Sequence, residues 1–138
     1  MKKLGLTLFA VSLLVLLAGC GGLPAAETKA YLDSIPVGNL STLSAAKAAG
    51  TYSGTYTIAM PAGGIAMYRT VSVDVTVNAS HQVTAIALTS PKELNDEKFG
   101  AKISGTVVAQ QSLAIDGVSG ASYSSKAFLK AVENALSK

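Results

Sequence analysis

Residues 69–77, R-T-V-S-V-D-V-T-V, alternate without a break: Val71, Val73, Val75 and Val77 fall on one side, Thr70, Ser72, Asp74 and Thr76 on the other. A period of two marks a strand with one buried and one wet face, because successive side chains leave a strand in opposite directions. Strands of that kind belong to antiparallel sheets rather than to parallel sheets covered on both faces. Asn78-Ala79-Ser80-His81 supplies a turn, residues 83–88 form a return strand, and Pro91 ends the hairpin. Residues 51–60, T-Y-S-G-T-Y-T-I-A-M, are β-branched and aromatic enough for a further strand. Gly54 within it marks a bulge or a close approach of backbones, and Pro61 with Gly63-Gly64 marks a turn.

Helical spacing accounts for the rest. Phe99, Ile103 and Val107 recur at intervals of four within 93–111, which predicts a helix over part of that stretch despite Gly100 and Gly105. Residues 124–137 place Phe128, Val132 and Ala135 or Leu136 on one face, with Lys126, Lys130 and Glu133 elsewhere. Short helices are expected at 27–32 and 41–49, the second ending at Gly50. The fold class is therefore α+β: a small, mainly antiparallel sheet packed by helices. Its core is alanine-rich and lacks tryptophan, so a planar aromatic ligand would add buried area to it.

The first twenty residues, M-K-K-L-G-L-T-L-F-A-V-S-L-L-V-L-L-A-G-C, read as a secretory leader: a basic start, an apolar run and a small-residue exit. Leu17-Ala18-Gly19-Cys20 resembles the bacterial lipobox, which implies a signal peptide over 1–19, removed before Cys20 is lipidated and becomes the mature N-terminus. Residues 20–49 are then lipidated terminus and tether, and 50–138 the folded domain. Two acyl chains hold a protein at a bilayer where one gives only marginal binding. Of 11 basic residues, Lys2 and Lys3 belong to the leader; the remaining nine face eight acidic ones, a net charge of about +1. No basic stripe points to nucleic acid. One cysteine and one histidine preclude a disulfide, a thiolate metal site or a histidine cluster within the chain, and redox chemistry would need an organic cofactor.

Residues 116–125, D-G-V-S-G-A-S-Y-S-S, crowd four serines and two glycines in front of the last helix. Serines there serve as ordinary helix caps. The same exposed N–H groups and helix dipole also suit a phosphate, with glycine permitting close approach. The dipole contributes only about 0.3–2 kcal/mol, so retention of a cofactor requires something further.

Asp116-Gly117-Val118-Ser119-Gly120-Ala121-Ser122 resembles the D-x-x-[S/T]-G-A-T signature of the FMN-binding domain family, found in peripheral subunits of sodium-pumping NADH:quinone oxidoreductases and Rnf complexes and in bacterial flavin-carrying lipoproteins. The likeness runs from about residue 50 to 138. It includes Thr51-Tyr52-Ser53-Gly54-Thr55-Tyr56, the Gly63-Gly64 turn, both valine-bearing strands, Gln110-Gln111-Ser112 and the last helix. The resemblance implies FMN joined through its phosphate to the last hydroxyl of the signature, Ser122, by a separate flavin transferase using FAD. Serine stands where the family usually has threonine, and it offers the same nucleophile without the β-branch. Asp116, Ser119, Gly120 and Ala121 match positions the transferase is expected to recognise. Ser124 and Ser125 are candidates for capping the helix or binding phosphate.

Other polar and aromatic residues carry blander readings. Tyr52 and Tyr56 share a strand face, where packing outweighs flavin contact. His81 follows a turn and is expected to be exposed, Asp74 sits on a polar strand face, and no Ser-His-Asp order can be drawn. Met60 and Met67 read as core or turn residues. The resemblance implies a membrane-anchored, extracytoplasmic electron carrier between a membrane redox donor and an outside acceptor, without substrate turnover of its own. A noncovalent flavin-binding or sensory module and a non-redox structural or interaction lipoprotein are the alternatives.

Overall fold

The structure, a computed structural model, describes residues 25–62 and 65–138. The leader, Cys20 and the turn expected at Gly63-Gly64 lie outside the described residues. Helix α1 (Ala25–Asp33) and the short α2 (Leu40–Ala45) precede β1 (Gly50–Ala62), β2 (Ile65–Val77) and β3 (Val83–Ser90). A 3-10 turn (Lys92–Leu94), α3 (Gly100–Gln110) and α4 (Ser122–Ser137) complete the order. The strands form one antiparallel sheet in the order β1-β2-β3. Helix α4 packs against β1 and β2, α3 against β3, and α1 and α2 rest on α4.

The valine alternation places its residues as expected. Val71, Val73, Val75 and Val77 are at most 1 % exposed and face the helices with Ile58, Val83, Ile86 and Leu88. Each such fully buried side chain contributes about 1.5–3 kcal/mol. The opposite face is wet and laced by cross-strand hydroxyl contacts: Thr57 with Thr70 at 2.8 Å, Thr55 with Ser72 at 2.9 Å, Thr51 with Thr76 at 3.3 Å, and Ser53 donating to Asp74. A one-residue slip would break this ladder and turn the valines into water, so the register is fixed from both sides.

Gly54 proves to be a close approach rather than a bulge: the β1–β2 register runs unbroken through its pairing with Val73. A Cβ at Gly54 would lie 2.0 Å from the Ala131 carbonyl oxygen and 2.4 Å from the Ala135 nitrogen. Ala127, Ala131 and Ala135, four residues apart, are buried on α4 and let the helix backbone settle onto the strand. Phe128 fills the adjacent volume and meets Phe99 edge-on, ring centroids 6.3 Å apart. Asn134 donates to the Thr55 carbonyl at 2.9 Å, while Tyr31, its ring tilted against that of Tyr123, donates to the Ala59 carbonyl at 3.0 Å. Helix α4 therefore runs antiparallel to β1, and its N-terminus lies toward the β1–β2 hairpin end. β3 pairs with β2 only between Ser72 and Val77, leaving that end as a two-stranded ribbon with Met67 and Tyr68 exposed.

Four expectations need correction, the first being Met67, read as a core or turn residue but 53 % exposed within β2. Pro61 is not in a turn but in β1, opposite Ala66, where an edge strand tolerates its missing N–H. The second helix stops at Ala45 instead of reaching 49. Its would-be continuation gives its carbonyls to side chains: His81 Nδ1 contacts the Lys47 oxygen at 2.7 Å and Tyr52 donates to the Ala48 oxygen at 2.8 Å. The last helix begins at Ser122 rather than at residue 124.

Gly54→Ala is expected to cost at least about 3 kcal/mol in urea unfolding, since the new methyl meets backbone that cannot yield. Gly105→Ala, whose methyl would meet nothing within 4 Å, should gain about 0.5–1 kcal/mol.

Candidate functional site

The segment 113–121 runs back along α4 and ends in a turn closed by Ala121 N–H donating to the Val118 carbonyl at 3.0 Å. Gly120 occupies the left-handed region, φ +79°, which an L side chain resists. Ala121 then enters the helix as its N-cap and, having no polar side chain, caps nothing. The first backbone bond of α4 is Ser125 N–H to the Ala121 carbonyl at 2.8 Å. The N–H groups of Ser122, Tyr123 and Ser124 come before it and have no partner within the helix.

The serines expected to act together are divided among three tasks. Ser125, 2 % exposed, accepts the Val118 N–H at 2.9 Å and donates to the Ala121 carbonyl at 2.7 Å, stapling the turn to the helix. A Cβ on Gly117 would come within 2.8 Å of Ser125 Cβ, so the chain passes there only as glycine. Ser125 is therefore neither a cap nor a free phosphate donor. Ser124 is buried on the helix. Ser119 and Ser122 are exposed, and Ser122 is the first residue of α4.

Asp116, Gly117, Val118, Ser119, Ser122 and Ser125 border one groove of about 530 Å³. Gly120, Ala121 and Ser124 do not border it. Leu113 and Leu129 line it from the domain side, and Thr28, Leu32, Asp33 and Val37 come from α1 and the link beyond it. Lys29, Asp33, Asp116 and Lys126 put charge on a lining otherwise divided between apolar and hydroxyl side chains, and the volume lies within the range of about 300–1,000 Å³ typical of small-molecule sites. Two bonds from α4 hold the α1–α2 link: Lys126 Nζ to the Ile35 carbonyl at 3.2 Å, and the Gly38 N–H to Glu133 at 2.9 Å. Burial, helped by the neighbouring Tyr56 and Tyr123, pushes the Tyr31 hydroxyl above the usual phenol range.

Sequence reasoning missed the α1 wall and Lys126. Lys126 was findable, because it lies four residues after Ser122 and so on the same helix face. No local signal brings Thr28 or Leu32 to residues nearly ninety positions away. Tyr52 and Tyr56 lie outside the groove, beneath Lys47 and Lys130 at 5.2 and 5.9 Å from the ring centroids. His81 is exposed on the hairpin turn. Among the described residues no group of His, Cys, Asp or Glu is arranged to hold a metal ion, and no helix is long and apolar enough to cross a membrane.

Ser125→Ala should destabilise the domain by about 1–3 kcal/mol, because the Val118 N–H loses its acceptor in a partly buried site. Ser119→Ala, at an exposed hydroxyl, should stay within about 0.5 kcal/mol of the parent. Thermal unfolding of the two variants side by side checks the division of roles.

Comparison with curated proteins and comparison with solved structures each give no match. The family model of the FMN-binding domain matches residues 67–137, just over half of the chain, and spans β2 from Met67, β3, α3, the 113–121 segment and α4. The protein thus belongs to the FMN-binding domain family, and its cofactor is FMN.

Proposed function

We propose that the protein is a lipid-anchored, extracytoplasmic electron carrier whose FMN is joined through its phosphate to Ser122 Oγ. The observation that carries this reading is the position of Ser122. It is an exposed hydroxyl at the first residue of a sixteen-residue helix, beside N–H groups with no intrahelical partner, on the border of a ligand-sized groove. The donor set suits the cofactor. A phosphate fits the helix N-terminus and the ammonium of Lys126, while Leu32, Leu113 and Leu129 offer apolar surface to a flat ring. FMN supplies the redox chemistry, and the chain binds, orients and shields it.

Attachment is an exchange at phosphorus. Ser122 Oγ attacks the FMN-side phosphorus of FAD, the new O–P bond forms as the pyrophosphate bond breaks, AMP leaves, and the hydroxyl proton passes to a base of the transferase. The threonine-to-serine departure keeps this nucleophile and removes only a methyl group. Noncovalent binding at 1 μM corresponds to about 8 kcal/mol and is still lost where free flavin is scarce. An ester is not lost by dilution.

The lipobox-like Leu17-Ala18-Gly19-Cys20 supports the anchor. Helix α1 begins five residues after Cys20, a reach of at most about 18 Å for extended chain. The element that continues the tether is thus also a wall of the groove, which would hold the flavin near a membrane redox donor.

Co-expression with a flavin transferase should add one FMN less water to the intact mass of the parent and of Gly105→Ala, a change on α3 away from the groove. Ser122→Ala should show no adduct and Ser122→Thr should restore it. An unmodified parent, or an adduct that survives Ser122→Ala, would overturn the attachment.

A further inference from the structure

Lys126 is the one groove-lining residue of α4 that carries a charge. Lys126 and Ser122 stand four residues apart on a continuous helix, so both side chains rise from the same face, their Cβ atoms about 5–6 Å apart. The lysine is half-buried, with its stem laid between α4 and the α1–α2 link. Its ammonium meets the Ile35 carbonyl at 3.2 Å, a neutral acceptor. Neither of the two ion pairs formed among the described residues involves Lys126: Lys29 and Asp33 pair on the α1 side of the same groove, and Lys130 pairs with Glu133 a turn further along α4. Lys126 therefore brings to the groove an ammonium that is in no ion pair among the described residues, in a lining where Asp33 is paired with Lys29 and Asp116 is the other carboxylate. An ammonium has three N–H donors, so the Ile35 contact leaves others for an anion.

We propose that Lys126 determines specificity at this site: its ammonium, positioned by the Ile35 carbonyl one turn below Ser122, selects phosphorylated flavin over riboflavin. The proposal rests on the reading of the groove as the flavin site and adds to it. The helix N-terminus offers dipoles and hydrogen bonds, whereas Lys126 offers a full charge within reach of a group at Ser122. A charge-assisted hydrogen bond in a partly desolvated site corresponds to a preference of about ten- to a hundredfold. Because the Ile35 carbonyl belongs to the link after α1, the residue that reads the phosphate also helps to hold the wall of the groove.

The test uses the full chain carrying Ser122→Ala, so that binding is reversible, titrated separately with FMN and riboflavin and followed by flavin fluorescence. FMN is expected to bind at least about tenfold more tightly than riboflavin. Millimolar inorganic phosphate should displace FMN and leave riboflavin in place. Adding Lys126→Met should lower the FMN-to-riboflavin preference by about tenfold or more, leaving what the helix N-terminus supplies, and Lys126→Arg should retain most of the preference. A purely structural role would weaken both flavins equally in Lys126→Met; that result, or an unchanged ratio, would overturn the proposal while leaving the groove as the flavin site. Binding of neither flavin by the Ser122→Ala chain would overturn the groove reading and this proposal with it. The mass adduct at Ser122 remains a separate question.

Discussion

The missing side chain of Gly54 is the contact on which the architecture turns. It lets the backbone of α4 come so close to β1 that a methyl group would overlap the Ala131 carbonyl. The alanines at 127, 131 and 135 are the other half of that fit, and together they allow a single layer of helices to seal a sheet of three strands. The approach also sets where α4 stands along the strand. With Ala131 and Ala135 seated on Gly54 and Asn134 bonded to Thr55, Ser122 lies part of the way toward the hairpin end. A slip by one helical turn would move it by about 5.4 Å. Core packing and the position of the proposed attachment atom are therefore one problem.

The groove is composite. One side is α4 and the segment before it, held in shape by the doubly bonded Ser125 hydroxyl and the left-handed Gly120. The other is α1 and its following link, fastened by Lys126, Glu133 and the Tyr31 hydroxyl. Leu32 and Leu40 add buried apolar contact to these polar bonds, against the whole row of valines and alanines shared by the sheet and α4. The wall supplied by α1 is thus the less firmly held of the two, as expected for an element with few buried apolar contacts.

Much of this was legible because it follows from periodicity. Period two at 70–77 identified the strand and its faces. Spacing of four identified α3 through Phe99, Ile103 and Val107 and α4 through Phe128 and Val132. The signature at 116–122 located the groove's edge and led to FMN. What escaped depended on bonds between distant residues. Helix α2 ends early, and Tyr52 and His81 hold the chain beyond it by the carbonyls of Ala48 and Lys47, which no propensity of residues 46–49 reports. Ser125 looked like any cap until Val118 was found folded over it. The α1 wall was invisible for the same reason, since contact at such separation leaves no local pattern.

The family match begins at Met67, inside β2, and β1 lies wholly before it. Yet β1 pairs with every residue of β2 from Ile65 to Val77 and carries the glycine that seats α4. A chain cut at the border of the match would leave the valine strand with an open edge and α4 above a gap where Gly54 had been. The folded unit therefore begins upstream of the matched residues, at β1.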